Sequence, residues 1–189
     1  SSLSYAVKAD NPSDLAAAEN VLGGIYYQLG EGALALKHTL HAMQLREQLG
    51  DKWGVATIGS NLGVLAVLGG NLAEAEAYFQ RSLALRQELN DVEGVAIVHN
   101  NLGSMARDRG DLARAEQHLR ESLATAAPLK MNYHVASAHL GLAETWLLSG
   151  QLAPATEALR DGLAQAEAVG AQDLLSDLHR VRAQVLLLR

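Results

Sequence analysis

Residues 60–84, SNLGVLAVLGGNLAEAEAYFQRSLA, return forty residues later as NNLGSMARDRGDLARAEQHLRESLA at 100–124. Cut every forty residues, the chain gives 11–50, 51–90, 91–130 and 131–170 without a gap, with 171–189 left over. In that frame Ala16, Ala56, Ala96 and Ala136 coincide, as do Leu22, Leu62, Leu102 and Leu142. So do Gly30, Gly70, Gly110 and Gly150, and then Ala35, Ala75, Ala115 and Ala155. A period of this length marks a supersecondary unit that buries its apolar face only by stacking on its neighbours. The chain must fold as an array.

Each unit reads as two helices. In the second copy Val55, Ile58, Leu62 and Leu65 recur at three- and four-residue steps and form one apolar helical face. Gly70 ends that helix, because a glycine just past the last turn takes the left-handed conformation without steric cost. Asn71, with Glu74 three residues on, has the pattern of a capping box, and Asp111 takes the same place in the third copy. Asp51 and Asp91 are the expected caps of the next first helices. The second helix carries Leu72, Ala75, Phe79 and Leu83 as its stripe. Gly63 and Gly103 stand inside helices, where glycine costs about 0.5–1 kcal/mol relative to alanine. Their recurrence points to helices crossing closely at those positions. No stretch alternates with period two over a useful length, so strands are not expected. The fold class is all-α.

Composition narrows the function. Aromatic residues make up only 4% of the chain and hydrophobic residues 49%, so the core must be alanine and leucine. Fifteen basic against twenty-one acidic residues, a net charge of −6, argue against direct nucleic-acid contact by this segment. The absence of cysteine excludes disulfides and thiolate metal sites. No run of eighteen apolar residues and no signal segment occurs, so no membrane partner is expected and a cytoplasmic location is. There is no G-x-S-x-G, H-E-x-x-H or P-loop sequence, which points away from an enzyme. His38 and His41 are three apart on one helix face, but the sequence places no carboxylate or thiolate to complete a site with them. His99 and His139 occupy matching slots that interhelical packing explains. No metal and no cofactor are expected, and Tyr26, Tyr27, Trp53 and Trp146 read as packing residues.

The recurring residues resemble tetratricopeptide repeats, whose pattern runs W-x2-L-G-x2-Y, then A-x3-F, then P. The second copy supplies Leu62-Gly63 and Ala75-x3-Phe79, the third Leu102-Gly103 and Ala115-x3-Leu119. The Trp slot instead holds Glu19, Gly59, His99 and His139, and the Tyr slot Tyr26, Ala66, Ala106 and Trp146. The closing Pro is replaced by Glu47, Gln87, Ala127 and Glu167, so nothing is expected to stop the second helix early, and the period lengthens to forty. This longer form is similar to kinesin light chain repeats. It also resembles the sensor regions of large bacterial transcription activators of the LuxR type, including the maltose-regulon activator. The resemblance implies a right-handed superhelical solenoid of antiparallel helix pairs, with nine full helices and contacts almost entirely between neighbouring repeats.

In such arrays the first helices line a concave groove. Carried across by register, the resemblance implies groove positions at Asn20, Gly24 and Tyr27, at Ser60, Val64 and Val67, at Asn100, Ser104 and Arg107, and at Leu140, Glu144 and Leu147. Asn61 and Asn101 stand beside that stripe, where an amide can both donate to and accept from a peptide backbone. A solvated polar face is the alternative for the asparagines, and ordinary interhelical contact the alternative for the apolar positions. Arg107 and Arg180 are offset by Glu144 and Asp177, which disfavours a clamp for a terminal carboxylate. The expected function is a non-catalytic protein- or peptide-binding scaffold, the partner- or effector-sensing region of a larger bacterial regulator. The alternative is a small-molecule sensor that changes the curvature or self-association of the array.

Residues 1–10 align in frame with 81–90, so the chain reads as starting partway through a second helix and ending on a lone first helix over 171–189. A piece of a longer protein is the expectation. Register puts Leu186 at a packing position, Leu187 and Leu188 at groove columns, and Val185 where a second helix of its own repeat would cover it, from which a dimer through the C-terminal helix is expected as a consequence of the cut end.

Overall fold

The computed structural model describes residues 11–188, and among these it contains nine α-helices, one 3-10 turn and no strand. The half-helix expected over residues 1–10 lies outside the described residues. Two compact units divide at the boundary between Asn90 and Asp91. The first holds α1 (Pro12–Gln28), α2 (Gly32–Gln48), α3 (Lys52–Leu68) and α4 (Leu72–Glu88). The second holds α5 (Val92–Asp108), α6 (Leu112–Ala126), a 3-10 turn (Ala127–Leu129), α7 (Asn132–Leu148), α8 (Leu152–Val169) and α9 (Gln172–Leu187). Within each unit a helix packs on its chain neighbours, and α5 with α7 and α7 with α9 also touch across the intervening helix.

The stops and starts follow the local chemistry. Gly70 ends α3 at a φ of 77°, and the backbone then turns so that Asn71 N–H donates to Ala66 O at 2.8 Å. Asp51 caps α3 by accepting from Gly54 N–H at 2.9 Å, Asp91 caps α5 through Gly94 N–H at 2.9 Å, and Asp111 caps α6 through Arg114 N–H at 3.2 Å. The capping box at Asn71 does not form: its side chain makes no cap hydrogen bond and its amide nitrogen lies back toward Gly69. A second correction falls on the third copy. Pro128 lies next to the vacated proline slot, and α6 ends at Ala126 after fifteen residues where α4 runs for seventeen. A proline ring there clashes with the preceding turn and removes a donor, so the chain tightens into the 3-10 turn.

The core is small side chains under a few large ones. In the first unit Ala42, Met43, Val55, Ile58 and Leu62 form one buried cluster, with Phe79 fully buried against α3. A Cβ at Gly63 would collide with the Phe79 ring, so the crossing of α3 and α4 depends on that glycine. In the second unit Leu119, Leu142, Trp146, Leu159 and Leu178 anchor a larger cluster that reaches α9. The guanidinium of Arg120 lies 5.5 Å from the centre of the Trp146 ring. Trp53, by contrast, is 60% exposed and is not a packing residue.

The end of α9 reverses the expected assignment. Val185 is buried in the core of the second unit, whereas Leu186 is exposed along with Leu187 and Leu188. Met105 and Thr145, which share the register of Val185, are buried too, whereas Ile25 in the same column of the first unit is exposed. Trp146, which shares the register of Leu186, is buried and meets Arg120 of the preceding repeat, but Leu186 stands exposed at the rim of a hollow beside Leu159 and Leu163 of α8.

Candidate functional site

The first unit brings four expected groove residues, Gly24 among them, around one hollow. Tyr27 of α1 and Asn61 and Val64 of α3, with Gly23, Gly24, Thr39 and Leu65, line a cavity of about 170 Å³. The paired glycines divide the task. A side chain on Gly23 would collide with the Thr39 hydroxyl, which is held by donating to Ala35 O at 2.8 Å. A Cβ on Gly24 would meet nothing, so Gly24 is what leaves the hollow open. Val67 lies half-buried one turn beyond Val64. Asn61 Nδ2 donates to Asn20 Oδ1 at 3.1 Å, so these two amides hold each other across adjacent repeats while remaining at the surface.

Ser60 does not belong to this surface. It is buried, its hydroxyl lies 2.8 Å from that of Ser82, and Ser82 in turn donates to Ala56 O at 2.7 Å. The serine pair ties α3 to α4, and the groove assignment of Ser60 is corrected accordingly.

In the second unit the groove register is occupied by charge. Glu144 of α7 bridges two arginines: it pairs with Arg107 of α5, and its Oε1 accepts from Arg180 Nη2 of α9 at 3.1 Å. Arg107 also donates to Asp108 Oδ1 at 3.1 Å, and Arg180 to Asp177 Oδ1 at 3.2 Å. An incoming carboxylate would have to displace these partners. Leu140 and Leu147 are half-buried and pack against the core cluster, so in both the interhelical alternative is realised. Asn101 and Ser104 are half-buried. Asn100 Oδ1 is buried with no hydrogen-bond partner among the described residues. Register supplies the reason: the residue equivalent to Asn61, which satisfies Asn20, is here Gly141.

Two clusters of histidine and carboxylate, one in each unit, lie between the helices of a repeat. In the first, Glu19 Oε2 lies 2.6 Å from His38 Nδ1 and Glu19 Oε1 lies 3.1 Å from His41 Nδ1, with Tyr26 stacked on the His38 ring at 5.1 Å. Glu19 is thus the carboxylate that the sequence did not place beside His38 and His41. In the second, His99 Nδ1, His118 Nδ1 and Glu121 Oε2 converge. Burial pushes the His99 imidazole below its ordinary pKa; Glu121 opposes this and His118 adds to it. Burial raises the Glu121 carboxyl, but the Gln117 hydrogen bond and the two imidazoles outweigh it and hold it below the usual carboxylate range. His139 is lowered by burial, against the pull of Asp161, and its Nδ1 has no partner among the described residues. The signal for both clusters stood in the sequence at the Trp slot, where Glu19 and His99 replace the aromatic ring.

No described helix is long and apolar enough to cross a membrane. No curated protein matches the sequence. Among solved structures the chain resembles aspartyl phosphate phosphatase F from Bacillus subtilis, with a TM-score of 0.89 at 12% identity over 97% of this chain and 48% of that one. It resembles the nearly identical TPR-like repeats of a candidate kinesin light chain from Podosopora anserina, with a TM-score of 0.69 at 17% identity over 93% of this chain and 98% of that one. It also resembles a Rap protein complexed with Competence and Sporulation Factor, with a TM-score of 0.64 at 19% identity, over 93% of this chain and 54% of that one. The chain therefore spans about half the length of the phosphatase and of the Rap protein. At these identities the likeness shows the fold, that of the all-α tetratricopeptide repeat superhelix. A tetratricopeptide repeat family model matches residues 14–88 and again 94–168, most of the chain, and the chain belongs to the tetratricopeptide repeat family.

Proposed function

We propose that the chain is a protein- or peptide-binding scaffold that takes an apolar side chain of its partner into the hollow between α1 and α3. The observation that carries this reading is the opening at Gly24, ringed by Tyr27, Asn61 and Val64. At about 170 Å³ the hollow is smaller than the roughly 300–1,000 Å³ of drug-sized ligand sites, and it suits one anchoring side chain of a longer ligand. A site held open on packed helices needs little ordering when it binds, which favours affinity from a small contact. The Rap protein complexed with Competence and Sporulation Factor, which shares the fold, supports a polypeptide partner. We place the scaffold as the partner- or effector-sensing region of a larger bacterial transcription regulator, a context for which the sequence resemblance to LuxR-type activators is the support. The exposed Leu186, Leu187 and Leu188 are proposed to pair with a second copy.

Calorimetric titration with peptide and metabolite libraries tests the reading. Peptides with an apolar anchor should bind, and Val64→Glu should abolish that binding without unfolding the chain. Saturable binding of metabolites with none by peptides would overturn it in favour of a small-molecule sensor.

A further inference from the structure

The three groups that converge at the centre of the third repeat have the dimensions of a metal-coordination face. His99 Nδ1 lies 3.2 Å from His118 Nδ1 and 2.9 Å from Glu121 Oε2, and His118 Nδ1 lies 3.2 Å from the same oxygen. Metal–ligand bonds of about 2.0–2.2 Å to nitrogen and oxygen place two ligands about 3.4 Å apart at a tetrahedral angle and about 3.0 Å apart at a right angle. All three edges fall within or beside that interval. A cation about 1 Å above the plane of the triangle would be at bonding distance from every corner.

The surroundings suit a site. Gln117 Nε2 donates to Glu121 Oε1 at 3.1 Å, which turns Oε2 toward the imidazoles in the manner of an outer-shell partner. The His99 and His118 side chains are 12% and 14% exposed and Glu121 is 40% exposed, so the two rings are sheltered while the carboxylate edge opens to solvent.

Register supplies a second observation. The columns of His99, His118 and Glu121 hold Glu19, His38 and His41 in the first repeat: two histidines and one carboxylate again, with the places exchanged. Packing does not demand these residues, since the same columns hold Gly59, Tyr78 and Arg81 in the second repeat and His139, Ala158 and Asp161 in the fourth. Interhelical filling would select size, whereas this pattern selects a donor set. In the first repeat the two imidazoles lie on different oxygens of Glu19 and His41 is 47% exposed, so those groups do not share one centre.

We propose that His99, His118 and Glu121 bind one divalent first-row transition metal ion, of which Zn²⁺ is the expected occupant. The two Nδ1 atoms and Oε2 are the three protein ligands, and water completes the shell on the Glu121 side. Two histidines and a carboxylate suit Zn²⁺ and Co²⁺ ahead of Ca²⁺ or Mg²⁺, which favour all-oxygen shells. With Nδ1 coordinated, each ring carries its hydrogen on Nε2, and the proton now shared within the triangle leaves for solvent on binding.

The test uses the untagged chain stripped with a chelator and titrated calorimetrically with Zn²⁺ alone, with Co²⁺ absorption as a geometric readout. One ion per chain should bind, and the Co²⁺ complex should give the intense visible bands of a low-coordinate nitrogen and oxygen site. His118→Ala and Glu121→Ala should each weaken binding by at least about tenfold, with circular dichroism unchanged, while His38→Ala should leave it intact. No binding to the unmodified chain would overturn the assignment, and this result does not depend on any variant folding. Binding that survives His118→Ala, or that is lost with His38→Ala, would overturn it as well. The proposal stands independently of what docks on the first unit.

Discussion

Gly103 leaves the space that Leu119 fills: a Cβ at position 103 would fall 2.6 Å from Leu119 Cγ and 3.2 Å from the carbonyl oxygen of Ala115. Gly141 approaches the same leucine from α7, where a Cβ would lie 2.6 Å from Cδ2. One large side chain is thus seated between two helices that have none. Gly103→Leu should destabilise the protein by about 1–3 kcal/mol through overpacking. In urea this reads as a lower midpoint with an unchanged slope, and an unchanged midpoint would show that the helices separate freely.

The caps separate residues that look alike in sequence. Asp111→Ala removes the acceptor for Arg114 N–H and should lose about 0.5–2 kcal/mol. Asn71→Ala removes no cap bond and should stay within about 0.5 kcal/mol of the parent. Equal losses at both positions, measured by thermal unfolding, would contradict the capping assignment.

Mild acid should weaken the second unit through its buried imidazoles. His99 and His139 are both held below the ordinary imidazole value of 6.5 by burial, so the folded chain takes up protons less readily than the unfolded one. Stability is therefore full above about pH 6.5 and falls as the pH drops toward the folded values. Unfolding midpoints at neutral and mildly acidic pH, taken in chelator, should show this drop, and His139→Leu should reduce it. A drop of the same size in the variant would assign the effect elsewhere.

The exposed end of α9 predicts concentration-dependent association. Leu186, Leu187 and Leu188 are 60%, 86% and 63% exposed, and each large aliphatic side chain that gains cover contributes about 1.5–3 kcal/mol. Sedimentation should show dimers that Leu187→Glu with Leu188→Glu disperses. A monomer at high micromolar concentration, with or without the changes, would contradict the pairing.

The sequence and the structure agree where one residue type has a single physical use. Gly70 past a helix, Asp51, Asp91 and Asp111 before one, and Gly63 and Gly103 at a crossing were legible for that reason. Legibility failed where a helical column has two apolar neighbours to face. Val185 and Leu186 are adjacent and about 100° apart on the helix, and the apolar pattern alone does not say which of the two meets the core. Ser60 failed for a related reason, since its inward turn depends on Ser82, twenty-two residues away. The residues of the hollow were legible by register, since Gly24, Tyr27, Asn61 and Val64 were all expected at or beside the groove, but its depth was not, because that follows from how closely α1 and α3 pack around a position with no side chain.

The central claim, that a partner seats a side chain in the hollow of the first unit, is tested most directly by filling the hollow from inside. A leucine at position 24 has room at its Cβ and replaces a helical glycine, which should raise stability by about 0.5–1 kcal/mol. Peptide affinity should be compared by calorimetry between the parent chain and Gly24→Leu. The account predicts a variant at least as stable as the parent that has lost peptide binding; a stable variant that binds with unchanged affinity would contradict it.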